Sequence, residues 1–163
     1  RHSFPMARLT VAGSGPERQA LEQLASELGI ADAVTFTGRL DNEGMASLYH
    51  SADALINPSL ADNMPISILE ALASGVPVVS TDVGGIPYLV EHGKTALLVP
   101  VQNPQAMADA IVSLLGDPGR ADEFRQAGLE AARQYAWGNV RERLLGVEQD
   151  GRMKSCRAMV VSK

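Results

Sequence analysis

Two carboxylates stand eight residues apart, Asp62 and Glu70, in "LADNMPISILEALASGVPVVST" (residues 60–81), a stretch with no other charge. An ionised carboxylate removed from water costs several kcal/mol unless donors satisfy it, so each acid has to meet a partner. On a helix opening near Pro65, Glu70 shares a narrow polar strip with Ser67 and Ser74, while Ile66, Ile68, Leu69, Ala71, Leu72 and Ala73 make the rest apolar almost all round. That pattern predicts burial on most sides. The vicinal hydroxyls of a ribose would offer Glu70 a matched pair of donors. Asp62 precedes the helix, in the turn after "ADALINPS", where open parallel sheets bind their ligands. The amides of Asn63 and of Met64 or Ile66 at the helix start suit an anion such as a diphosphate. The chemistry is then a phosphate at the helix mouth, a ribose at Glu70 and a polyol at Asp62. The same residues also suit a purely architectural role, with Asp62 or Asn63 capping the helix and Glu70 capping a neighbouring loop.

The elements that would hold these acids follow from the alternation of short β-rich runs with helical patterns between about residues 8 and 115. The runs are "RLTVAG", "AVTFTG", "ADALINPS", "VPVVST" and "TALLVP", and such alternation marks βαβ units around a parallel sheet. Ala20, Leu21, Leu24, Ala25 and Leu28 recur at helical spacing between Pro16 and Gly29, which predicts an amphipathic helix. Further helices are expected over 41–51, 65–74, 104–115, 119–135 and 138–146. The fold class is α/β, a Rossmann-like domain with a mostly parallel sheet and helices on both faces. Residues 1–150 read as that domain. Residues 151–163 read as a basic tail or an added strand, because "RMKSCRAMVVSK" has four basic residues, no acidic one and a β-prone end.

Composition excludes several functions. A net charge of −5 opposes a nucleic-acid platform, which needs a concentrated basic face. The three histidines are scattered without metal-ligand spacing, so no metal is expected. "GSGPER" departs from a nicotinamide-binding turn, since Arg18 stands at the third glycine position. One cysteine, Cys156, allows no internal disulfide, and the reading is cytoplasmic. No apolar run reaches the length of roughly 20 residues that spans a bilayer, so a membrane is not indicated.

Several motifs in one order carry a resemblance over roughly residues 7–146: "VAGSGPERQALEQLASELGI", "VTFTGRL", "LYHSADALINPS", "DNMPISILEALASGVPVVSTDVGGIP" and "EHGKTALLVP". The sequence resembles the C-terminal domain of the family-four retaining glycosyltransferases, whose B-type fold sets two Rossmann-like domains across a cleft. That family's acidic pair, E-x7-E, falls on Asp62 and Glu70, the first acid being shortened to Asp. The resemblance implies that Asp62 contacts the donor sugar, that Glu70 holds the nucleotide ribose, and that Ile66 packs near the nucleoside. It also implies that Gly38, Arg39 and Leu40 flank the base beside Ser14 and Gly15. Arg39 is equally readable as a solvated surface arginine. "GGIP" at 84–87 reads first as turn chemistry, and Tyr88 stands where the family often has Glu. Trp137 matches an aromatic that packs against the rest of the fold. No cofactor is implied beyond a nucleotide-diphospho sugar as donor substrate.

In the resembling family a strand, a "GR" turn and a Lys-bearing helix come before the segment that matches residue 1, and an acceptor-binding N-terminal domain precedes those. The expectation is the donor-binding half of a glycosyltransferase, inactive without its partner domain. The alternative is a non-catalytic binding or assembly module. In a 3-2-1-4-5-6 sheet the first strand is central, and an empty slot there leaves backbone groups unpaired on both sides. The tail run "RAMVVSK" is expected to fill it, within the chain or by strand exchange in a homodimer.

Overall fold

The computed structural model describes residues 3–149. Its element order is β1 (Leu9–Ala12), α1 (Arg18–Glu27), a 3-10 turn (Ala31–Ala33), β2 (Val34–Gly38), α2 (Asn42–Ser51), β3 (Leu55–Asn57), α3 (Ile66–Ala73), β4 (Val78–Thr81), α4 (Ile86–Leu89), β5 (Ala96–Val99), α5 (Pro104–Leu115), α6 (Pro118–Arg133) and α7 (Trp137–Gln149). The expected α/β alternation is present, and every strand pairing is parallel. The strands form two sheets rather than one, β1–β2 and β3–β4–β5. No described strand joins β1 to β3. The tail run expected to fill the central slot of the strand order lies outside the described residues.

Local chemistry accounts for the helix starts. Asp41 accepts the Gly44 amide at 2.8 Å, Asn103 the Ala106 amide at 2.9 Å and Asp117 the Arg120 amide at 3.0 Å, each satisfying a donor that the helix cannot. Pro104 and Pro118 stand in first turns, where their missing N–H costs nothing. Gly75 ends α3 with φ 68°, and Arg125 of α6 donates to its carbonyl at 3.0 Å. By contrast α3 opens on Pro65 with no side-chain cap.

The core sits on both faces of β3–β4–β5. Val78 of β4 packs with Ile68, Ala71, Leu72 and Ile86, whereas Val79 packs with Leu97, Val99, Leu114 and Phe124, as the two-residue period of a strand requires. Thus α3 and α4 cover one face and α5 the other. Leu72 is 1% exposed, and a Cβ on Gly128 of α6 would meet its Cδ2 at 2.9 Å. Only glycine lets α6 come so near α3. Leu72→Ala is expected to cost about 2–5 kcal/mol, read as a lower urea midpoint at unchanged slope.

Three expectations are corrected. The apolar positions of α3 do not bury it on most sides: Ile68, Ala71 and Leu72 are buried, yet Ile66 is 66% exposed and Glu70 lies in solvent. The reason is that α6 and β4 cover only one flank. In α1 the stripe Leu21, Leu24 and Leu28 is exposed and Ala25 alone is buried, because the two-stranded sheet offers that helix little to pack on. Trp137, expected to pack against the fold, is 70% exposed at the start of α7.

Candidate functional site

The turn carrying Asp62 is built from the ends of two strands. Thr81 Oγ1 donates to the Ser59 carbonyl at 2.6 Å and Ser80 Oγ to the Asn57 carbonyl at 3.3 Å. Ser59 Oγ donates to Asn57 Oδ1 at 2.8 Å. These buried hydroxyls tie the chain after β3 to β4, so the turn leaves the sheet in a fixed direction. Asn57 Nδ2 is buried there without a partner among the described residues.

Asp62 Oδ1 then accepts the Met64 amide at 3.0 Å. This is partly the capping role open from the sequence, although it closes a turn before α3 and is not a cap on the helix. Asn63 and Met64 lie exposed in that turn, and Ile66 is exposed at the helix start. With Pro65 contributing no side-chain cap, the start of α3 carries the partial positive charge of a helix N-terminus.

The turn is held from its other side by glycine. The Gly85 amide donates to the Asp62 carbonyl at 2.9 Å. A Cβ at Gly84 would strike that carbonyl oxygen, and one at Gly85 would strike the carbonyl of Asn63. Gly84 has φ 58° and also needs glycine for its backbone, but Gly85 has an ordinary φ of −88°. Its requirement is space alone. The sequence reading of "GGIP" as turn chemistry therefore holds for Gly84 and misses what Gly85 does.

Glu70 stands one helical turn further on, exposed on α3. Its Oε2 accepts the Tyr49 hydroxyl at 3.1 Å, and the same hydroxyl lies 3.3 Å from the Ser67 carbonyl. Among the described residues Glu70 Oε1 has no hydrogen-bond partner. Tyr49, near the end of α2, is only 5% exposed. Burial, and then the hydrogen bond and charge of Glu70, push its phenol well above the ordinary tyrosine value. The folded protein thus keeps a proton that an unfolded chain gives up above about pH 10. This stabilisation is whole below that pH and is lost as pH rises further towards the folded value. Tyr49→Phe is expected to flatten the loss, measured by urea unfolding at pH 8 and pH 11. An equal alkaline loss in both proteins would remove Tyr49 as its source.

The remaining expected residues gather on the other sheet. The Gly13 amide donates to the Gly38 carbonyl at 2.8 Å, which sets Ser14 and Gly15 beside Gly38, Arg39 and Leu40 at the carboxyl ends of β1 and β2. Gly38 turns the chain there with φ 72°. Arg39 is exposed. Arg18 also reaches this end: its Nη2 donates to the Phe36 carbonyl at 3.3 Å and its guanidinium lies 5.8 Å from the Phe36 ring centre. The physical link between the two groups is α2, which starts just after Leu40 and delivers Tyr49 to Glu70.

Two grooves among the described residues are not lined by the acids. One of about 480 Å³ lies between Pro87–Thr95 and α6. The other, of about 400 Å³, is lined mainly by apolar groups of Ile56, Leu60, Pro100 and Met107. Asp62 and Glu70 stand instead on an open surface at the carboxyl ends of the strands.

Parallel strands joined by crossover helices define a Rossmann-like α/β domain. The family model described as "Glycosyl transferases group 1" matches residues 1–117. The chain belongs to that family, as a C-terminal-type piece of the B-type fold. It is 41% identical over 135 residues to a D-inositol 3-phosphate glycosyltransferase of Corynebacterium urealyticum, covering 82% of this chain and 32% of that protein. It is 35% identical to a GDP-mannose-dependent alpha-(1-6)-phosphatidylinositol monomannoside mannosyltransferase of Mycobacterium tuberculosis, covering 85% and 38%. Sucrose-phosphate synthase of Thermosynechococcus elongatus superposes with a TM-score of 0.81 at 31% identity, over 93% of this chain and 40% of that one. Anabaena HepE, solved with UDP, superposes with a TM-score of 0.79 at 22% identity, over 91% and 42%, a likeness of fold. The chain thus spans about a third of the length of the curated relatives it matches. No helix among the described residues is long and apolar enough to cross a membrane.

Proposed function

We propose that this chain is the donor-holding half of a retaining glycosyltransferase that uses a nucleotide-diphospho sugar. The observation that carries the reading is Glu70: an exposed carboxylate with one oxygen held by a buried tyrosine and the other open, one turn along a helix whose mouth has no side-chain cap. The open oxygen is the atom a ligand hydroxyl can reach. In the proposed complex the ribose hydroxyls donate to Glu70 and the diphosphate lies on the amides of Asn63 and Ile66, the Met64 amide being spent on Asp62. Asp62 reaches the sugar hydroxyls through its free Oδ2, since Oδ1 is engaged by Met64. Gly38, Arg39 and Leu40, with Ser14 and Gly15, flank the base. As the bond to the sugar breaks, negative charge grows on the departing nucleotide, and preorganised amides aimed at it favour the transition state over the ground state. The GDP-mannose dependence of one relative supports a donor of this chemical class.

Binding of UDP, GDP and ADP sugars, titrated calorimetrically into the 163-residue chain, tests the reading. Saturable binding of one series, weakened about tenfold to a hundredfold by Glu70→Ala, is the expected result; binding of none would contradict it. Turnover needs an acceptor half facing this surface, so the purified chain is expected to transfer no sugar from any of the three. Product detected by mass spectrometry would refute that.

A second reading, an assembly module that kept the fold, is favoured by the edges of β1 and β3, which no strand joins among the described residues. Strand exchange there makes a homodimer. Sedimentation equilibrium decides it: a dimer that falls to monomer when residues 151–163 are deleted supports exchange, and a monomer at every concentration opposes it.

A further inference from the structure

We propose that Tyr49 is a positioning residue for ribose recognition, fixing the Glu70 carboxylate so that Oε1 alone is presented to the nucleotide. The inference rests on the ribose role of Glu70 proposed above and adds the group that gives that role its selectivity.

An exposed glutamate samples many rotamers, and a ligand must stop that motion to be bound. Here the motion is already stopped. The Tyr49 hydroxyl is 3.1 Å from Glu70 Oε2, and its ring is anchored in the core beside Ile68, Ala71 and Leu72. The phenol has one proton. Of its two acceptors the carboxylate is the nearer and the charged one, and hydrogen bonds to a charged acceptor are the stronger kind. With one phenol bond on Oε2 and none on Oε1 among the described residues, Oε1 is the atom with its full acceptor capacity open to hydroxyl donors.

The elevated phenol keeps Tyr49 protonated throughout the neutral range, so it acts as a donor to the carboxylate and takes no proton from a ligand. The placement on α2 matters too. Asp41 caps the start of this helix, directly after Leu40, and Tyr49 lies two turns later. One rigid helix therefore sets the base-flanking segment and the ribose-facing carboxylate in a fixed relation.

A thermodynamic cycle over protein and ligand tests this in the full 163-residue chain. UDP, GDP and ADP are each compared with their 2′,3′-dideoxy counterparts, with inorganic pyrophosphate as a probe of the helix mouth alone. Wild type is expected to favour the ribonucleotide of its own base by about tenfold or more, the scale of a lost hydrogen bond to a charged group. Tyr49→Phe should lower that ratio by about fivefold while leaving pyrophosphate affinity unchanged. Glu70→Gln should remove most of the ratio, and adding Tyr49→Phe to it should change nothing further. Replacing Tyr49 by 4-aminophenylalanine, which keeps an N–H donor at the same point, should restore the preference.

A merely structural tyrosine would weaken all ligands alike and leave the ratio at its wild-type value. That result, with wild type still discriminating, overturns the positioning role and leaves the ribose role of Glu70 intact. Wild type that fails to distinguish any ribonucleotide from its dideoxy form overturns both.

Discussion

Gly85→Ala is expected to unseat the turn that carries Asp62 and Asn63, lowering stability by about 1–3 kcal/mol or more and weakening nucleotide-sugar binding beyond detection. The added methyl collides with the Asn63 carbonyl, and the Gly85 amide is bonded to the Asp62 carbonyl at 2.9 Å. Neither backbone can yield without the other. The turn is also tethered to β3 and β4 through Ser59, Ser80 and Thr81, so the strain cannot be relieved by sliding the loop outwards. Gly138→Ala is the control: a Cβ there meets nothing within 4 Å, and alanine suits a helix better than glycine by about 1 kcal/mol. The check is thermal unfolding of both variants beside a calorimetric titration. A Gly85→Ala protein that binds and melts like wild type would show that the two loops part more easily than their packing implies.

Glu70→Ala should weaken binding while leaving stability nearly unchanged. Removing the carboxylate deletes the acceptor for two ribose hydroxyls, a loss of about tenfold to a hundredfold in affinity from hydrogen bonds to a charged group. It also leaves the Tyr49 hydroxyl with the Ser67 carbonyl, 3.3 Å away, as its acceptor, so the fold loses little. Because Glu70 is exposed, no buried charge is stranded by the change. Affinity should therefore fall with the melting temperature nearly constant. A parallel loss of both would return Glu70 to the architectural role that its spacing also allowed.

The strand and helix order was legible because each run carries its own period and its own punctuation. Asp41, Pro104 and Gly75 mark element ends by chemistry that acts within one turn. The acidic pair drew notice for a different reason, since an ionised group in an apolar stretch asks for a partner, but Glu70 stands in solvent and the burial behind that reasoning is absent. What stayed hidden depends on contacts distant in sequence. Gly85 has an ordinary backbone, and only the approach of residue 63 forbids it a side chain. Tyr49 reads as one more apolar position on α2. A signal was nonetheless available: a buried tyrosine needs an acceptor for its hydroxyl and Glu70 needs a donor, and pairing those two needs would have found the contact. The four-residue α4 was missed because "GGIP" looks like a turn, although Ile86 and Leu89 are buried in the core. The exposed leucines of α1 mark the limit of periodicity, which shows that a helix has an apolar face and not what covers it.

The claim on which the account stands is that the uncapped mouth of α3 and the open oxygen of Glu70 together hold a nucleotide diphosphate. Amide chemical shifts of the labelled chain, followed while UDP, GDP and ADP are added in turn, test it most directly. The account predicts that one of them shifts the amides of Asn63, Met64, Ile66, Ser67 and Glu70 together along a single saturating curve. Shifts confined to Tyr88–Thr95 and α6, around the larger groove, with residues 62–70 unmoved, would contradict it.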